Sequence, residues 1–243
     1  MTELLFLDDA YVSEFDAVVT DVADDDGVVL DRTAFYIGGG GQPCDVGTLT
    51  DTATGAEYRV TKAGRAGGQI VHTIEGDAGP AVGTALHGAI DWERRYLLMR
   101  THTALHILCG VVWRDYGALV TGGDMRPGTA RMDFELENMS AEFAEEVEAR
   151  INAEVAEGRD IDVGSMSRGE ADAHPDLIRT KINLLPAAIT EVRTIDITGL
   201  DLQADGGTHV HNTREVGRIN VVGHESKGRI NKRLRIALAA AGE

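Results

Sequence analysis

A chain of 243 residues is long enough for one large domain or two modest ones around a buried core. Its 43% apolar content is ordinary for a globular protein, and the lack of a run of bilayer-spanning length argues against a helical membrane protein. Forty acids against 23 Lys plus Arg leave a net charge of −17, and two cysteines are too few for a disulfide framework.

Only Lys62, Lys181, Lys227 and Lys232 are lysines. An acidic, lysine-poor surface reads as adaptation to high salt, where screening blunts self-repulsion, or simply as an acidic cytosolic protein. The N-terminus, MTELLFLDDAYVSEFDAVV, carries acids where a secretory leader carries positive charge, so a soluble cytoplasmic protein is expected.

Residues 1–75 read as β-structure. Short apolar runs flank an acidic turn at Asp24 to Gly27, a hairpin signal, and GTLTDTATGAEYRVTKAGRAGGQIVHTI continues with two more short strands. Strands at this spacing imply a small barrel or a sandwich. The Gly-, Ala- and Pro-rich stretch 76–90 marks the domain boundary, which divides the chain into 1–88 and 89–243. Asp91 caps a long helix on which Leu97, Leu98, Thr101, Leu105, Leu108, Val111 and Val112 recur at helical spacing. RMDFEL alternates as a strand, and SAEFAEEVEARINAEVAEGRD is an amphipathic helix capped by Ser140 or Asn138. DIDVGSMSRGEAD and EVRTIDIT read as strands, and the last segment as strand, Gly turn and strand. Helices interleaved with antiparallel-type strands make the second domain α+β.

His102 and His106 stand four apart in RTHTALHIL. On a helix they lie one turn apart on one face, so both rings reach one point, as zinc sites require. In LDLQADGGTHVHNT, the Gly206–Gly207 pair makes a tight turn that brings Asp205 and His209 together. A third imidazole and a carboxylate complete a four-coordinate site, or three histidines leave the fourth place to water. His211 is a competing ligand, and Cys109 shares the His106 face but reads better as a small core residue. The run LDRTAFYIGGGGQPCDVG lets backbone amides approach a ligand, and no Gly-Lys-Ser/Thr follows to make it a Walker loop. From Asn212 to Arg235 seven basic residues meet only two acids. This local stripe can meet phosphate, or it is a solvated strand or helix face.

Three of these segments, LDRTAFYIGGGGQPCDVG, DWERRYLLMRTHTALHIL and DLQADGGTHVHNTREVG, resemble the editing region of alanyl-tRNA synthetase. They resemble still more its freestanding AlaX-type relatives, in the same order, from about residue 3 to about residue 238. The resemblance implies an α+β protein with an N-terminal small β-barrel followed by an α+β zinc-binding editing domain. It implies one zinc ion per chain, held by a His-x-x-x-His helix, matched by His102 and His106, and by a later loop whose final histidine is His209. Asp205 stands where the synthetase pattern has cysteine, so the fourth ligand is either this harder carboxylate or water. The implied reaction is hydrolysis of mischarged Ser-tRNA(Ala), and of Gly-tRNA(Ala), with mischarged tRNA(Ala) as the partner. Thr33 matches the position linked with sensing the serine hydroxyl, and Gln42 is a polar contact to substrate. The candidate tRNA contacts are Arg214, Arg218, Lys227, Arg229, Lys232 and Arg233, with Arg100 as a secondary one. Two alternatives stand beside this: a non-catalytic tRNA-binding protein on the same fold, and an editing enzyme for another mischarged tRNA such as Ser-tRNA(Thr).

Overall fold

The structure is a computed structural model that describes residues 1–23, 27–76, 79–182, 185–186 and 188–240. The chain mixes many strands with few helices and divides into two compact units, Met1–Tyr96 and Leu97–Glu243. Among the described residues, no helix is long and apolar enough to cross a membrane.

The first unit contains β1 (Glu3–Leu4), β2 (Glu14–Ala23), β3 (Gly27–Leu30), β4 (Arg32–Thr33), β5 (Gly47–Asp51), β6 (Glu57–Ala66), β7 (Gln69–Ile74) and β8 (Ala85–Ile90). β1 and β4 form a short parallel pair, and the others close a barrel in the order β2-β3-β7-β6-β5-β8. Period-two alternation fills it: Phe15, Ala17 and Val19 of β2 are buried between exposed neighbours. They join Val28, Leu30, Leu49, Val60, Leu86 and Ile90 in one apolar cluster. β2 and β3 pair as the expected hairpin, although the turn residues Asp24–Asp26 lie outside the described residues.

Two expectations change here. Residues 47–75 hold three strands, β5, β6 and β7, where two were expected. The stretch 76–90 is not simply a boundary, because Ala85–Ile90 is the barrel strand β8. Its glycine serves close packing: a Cβ on Gly88 would stand 2.5 Å from Cε1 of Phe15. The units divide later, inside α1 (Trp92–Tyr116). Asp91 caps this helix as expected, accepting from the Arg94 amide at 3.0 Å. Its first turn belongs to the first unit, where Trp92 packs on the barrel cluster. The fully buried Arg95 donates there to Ala10 O at 2.7 Å, to Ala34 O at 2.6 Å and to the Asp45 carboxylate.

His72, on β7, is wholly buried in the first unit. Its Nδ1 donates to Val28 O at 3.2 Å, so Nε2 is the acceptor and the Thr33 hydroxyl donates to it at 2.8 Å. Burial pushes its pKa down from 6.5 to about 4, against the opposing bond to Val28. The unfolded chain therefore binds a proton between these values and the folded one does not. Stability is full above pH 6.5 and falls progressively as the pH drops toward about 4. At pH 5 the loss is about 2 kcal/mol, from ~1.4 kcal/mol per pH unit. Urea midpoints at pH 7 and pH 5 should converge in His72→Asn relative to the parent; parallel curves for the two proteins would refute this.

In the second unit, the rest of α1 is followed by β9 (Val120–Arg126), β10 (Thr129–Phe134), α2 (Ala141–Glu157), β11 (Ile161–Ser167), α3 (Arg168–Ala173), β12 (Glu191–Ile197), β13 (Asp201–Ala204), β14 (Ile219–Gly228) and β15 (Asn231–Leu238). Two antiparallel sheets form, in the orders β14-β15-β10-β9 and β11-β12-β13. Ser140 caps α2 through the Phe143 amide at 3.1 Å. Edge strand β14 is covered by α2: Asn152 exchanges bonds with the Ile219 backbone, and Glu148 accepts from the Val221 amide. RGEAD, expected as the end of a strand, is the short helix α3. Ser167 and Glu170 close a capping box that ends β11 and starts the turn.

Candidate metal centre

Residues 101–112 of α1 are buried without interruption, so His102 and His106 sit in a core helix and not on a solvent face. Their ring centroids are 5.1 Å apart, one turn along the helix. The loop after β13 brings in the other two groups. Asp205 and His209 come together as expected, although neither Gly206 nor Gly207 has a positive φ. The loop closes instead on the Asp205 carboxylate, which accepts from the Gly207 amide at 2.6 Å, while Arg193 of β12 donates to Asp205 O at 3.1 Å and Gly207 O at 3.0 Å.

His102, His106, Asp205 and His209 each offer a ligand atom, and these atoms lie within 4.8 Å of one another. The His209 ring stacks on His102 at 4.4 Å and meets His106 edge-on at 4.7 Å. Asp205 is 3.1 Å from His209 Nε2 and 3.7 Å from His102 Nε2. Ligands bonded to zinc at ~2.0–2.1 Å in a tetrahedron stand roughly 3.3 Å apart, so these separations suit such an ion. The electrostatics agree. Burial holds His102 well below its ordinary pKa despite the nearby Asp205, and holds His209 at about 4 against its Asp205 bond. Both rings are thus neutral at pH 7, as ligands must be. Burial opposes ionisation of Asp205, but the facing imidazoles, His102 first, and the His209 hydrogen bond outweigh it, and its pKa is lowered. For His106, burial is outweighed by Asp201 and Asp205, which raise its pKa. Three buried imidazoles around a half-buried carboxylate are a chemically fitting set for a divalent cation.

Neither competitor belongs to the cluster. Cys109 is buried in the core with its thiol pKa pushed up, and His211 is exposed. Thr33 and Gln42 belong to the first unit, and both are buried, at 0% and 2% exposure. The Thr33 hydroxyl is engaged by His72 and also accepts from the Phe35 amide at 3.1 Å. The four glycines before Gln42 all have positive φ, with Gly39 N donating to Gln42 O and Gln42 N to Gly39 O.

The basic stripe is largely occupied by the protein itself. Arg214 donates to the Ala156 and Glu157 carbonyls at the end of α2, and Arg218 pairs with Glu148. Arg233 grips both Asp133 oxygens, at 2.6 and 2.7 Å. Lys232 is buried, with Nζ bound to Ser226 Oγ and to the carbonyls of Gly228 and Arg229. Lys227 and Arg229 keep exposed side chains at the β14–β15 turn. Arg100 donates to Val216 O at 2.9 Å.

Sequence reading missed Thr103, Arg193 and Asp201. Thr103 Oγ1 lies 3.2 Å from His209 Nδ1, and Asp201 Oδ2 lies 3.6 Å from His106 Nδ1. One signal was present: Asp201, Gln203 and Asp205 alternate, so they share a face of an extended segment.

Residues 6–94 match the family described as tRNA synthetases class II (A), and residues 192–235 match the threonyl and alanyl tRNA synthetase second additional domain. The alanyl-tRNA editing protein AlaX-M of Methanosarcina mazei is 39% identical over 98% of this chain and 97% of its own length. Its namesake in Saccharolobus solfataricus is 38% identical over 96% of this chain and 98% of its own. The alanine–tRNA ligase of Pyrococcus furiosus is 37% identical over 100% of this chain, which spans 26% of the ligase. With this identity over nearly the whole of both chains, and a buried His-His-Asp-His cluster on the motifs that carry the resemblance, the chain belongs to the family of AlaX-type alanyl-tRNA editing proteins.

Proposed function

We propose that the chain is a trans-editing hydrolase of the cytoplasm that cleaves the aminoacyl ester of mischarged Ser-tRNA(Ala), and of Gly-tRNA(Ala), at a zinc site with one ion per chain. The observation that carries this reading is the convergence of His102, His106, His209 and Asp205 in a buried cluster. A divalent ion held there supplies Lewis-acid polarisation or activation of the attacking nucleophile. The residues supply the rest. Neutral His102 and His209 present nitrogen lone pairs, Asp205 balances charge as the fourth ligand, and the buried helix keeps bulk water from the cluster. The ester of an aminoacyl-tRNA is already activated, so positioning it carries much of the rate.

Thr33 and Gln42 are assigned to substrate selection. With its proton given to His72, the Thr33 oxygen can only accept from a further partner. That polarity suits the hydroxyl of a seryl group, and an alanyl methyl cannot use it. For tRNA, the candidate contacts narrow to Lys227 and Arg229, the two of the six whose side chains are exposed and carry no structural bond. The test is release of the amino acid from Ser-, Gly- and Ala-charged tRNA(Ala), at high salt in view of the −17 charge. Serine release with Ala-tRNA(Ala) spared is expected. Hydrolysis of Ser-tRNA(Thr) alone would move the assignment to the threonyl branch that shares the second additional domain.

A further inference from the structure

The imidazoles of the cluster carry a second layer of contacts on their outward nitrogens. Asp201 is buried, with its side chain fully enclosed. Arg179 reaches its Oδ1 at 3.4 Å and Gln203 Nε2 donates to its Oδ2 at 2.5 Å. This carboxylate sits close to α1 because residue 110 is glycine: a Cβ there would stand 2.9 Å from the Asp201 Cβ. His106 Nδ1 is a buried polar atom with no hydrogen bond within normal distance, and the group that faces it is Asp201 Oδ2, at 3.6 Å. His209 differs: its Nδ1 faces the Thr103 hydroxyl at 3.2 Å, which can donate or accept, and its Nε2 faces the Asp205 carboxylate.

A neutral imidazole has one protonated and one bare nitrogen, and only the bare one binds a metal. A carboxylate can only accept. Placed against Nδ1, it fixes the proton there and leaves Nε2 bare. We propose that Asp201 is a positioning residue that sets the tautomer and ring orientation of His106, holding Nε2 toward the ion. Arg179 and Gln203 hold Asp201 in that orientation. The proposal rests on the reading that the four residues bind a metal ion and adds which nitrogen of His106 binds it.

The experiment measures zinc affinity of the full-length protein by competition with a chromophoric chelator, alongside the melting temperature of the metal-free form. Asp201→Asn is expected to weaken zinc binding by ~10–100-fold, the usual effect of losing such a partner, in a metal-free protein that still unfolds in one cooperative transition. Unchanged affinity would overturn the proposal. A second measurement needs no variant: long-range nitrogen–proton NMR of the zinc-loaded parent should show His106 protonated on Nδ1. A proton on Nε2 of His106 would overturn the proposal even if Asp201→Asn fails to fold. Failure of the metal reading looks different, because the parent itself would then bind no zinc and His102→Ala would change nothing in the titration.

Discussion

His102→Ala is expected to abolish stoichiometric zinc binding and to lower serine release from Ser-tRNA(Ala) by ~100-fold or more. The size of the effect follows from its position. His102 is 4% exposed, stacks on His209 and stands 3.7 Å from Asp205, so its removal takes one ligand and leaves a half-buried carboxylate with fewer partners. His209→Ala should do the same, and it also cuts the 3.1 Å contact to Asp205. The two substitutions are not additive, since either one dismantles the same cluster. Cys109→Ala, by contrast, should leave metal binding intact, because that thiol is a core residue outside the cluster. Elemental analysis and deacylation on the same preparations check both statements; a His102→Ala protein that keeps its zinc and its rate refutes them.

Arg95→Met should destabilise the protein by about 3–5 kcal/mol, the loss expected when one partner of a buried ion pair is removed. Arg95 is wholly buried and satisfies two carbonyls, Ala10 O and Ala34 O, as well as Asp45. Burial pushes the Asp45 pKa up even against the Arg95 charge, so without its partner this carboxyl takes up a proton more readily still. Asp45 Oδ1 has no hydrogen-bond partner, and Oδ2 accepts from the Tyr36 amide at 2.7 Å as well as from Arg95. The double variant Arg95→Met/Asp45→Leu should recover part of the loss, because it removes the stranded charge along with its partner. Urea denaturation reads both. A single variant as stable as the parent would show that the pair contributes nothing net.

What could be read from the sequence was what is local. Asp91 and Ser140 cap their helices because a short acceptor before an amphipathic run is a one-turn signal. His102 and His106 meet because helical spacing alone puts them on one face. What escaped depends on partners far along the chain. β8 was hidden in a Gly- and Ala-rich stretch whose small residues serve contact with Phe15 rather than flexibility. α3 was absorbed into a strand, although its Ser167 and Glu170 capping pair stood in the sequence. The basic stripe looked available for phosphate because its acids come from elsewhere: Arg233 answers to Asp133 and Arg218 to Glu148. Asp201 shares a face with Asp205, but its partner His106 lies far from it in the sequence, so the contact could not be read locally.

On the proposed reading, the His102–His106–His209–Asp205 cluster carries editing through a bound metal ion. The direct measurement is serine release from Ser-tRNA(Ala) by one untagged preparation in three states: as loaded with one zinc per chain, after chelation to below a tenth of that content, and after zinc is returned. Activity is expected to fall with the metal and to come back with it. Undiminished deacylation by the stripped protein would contradict that reading.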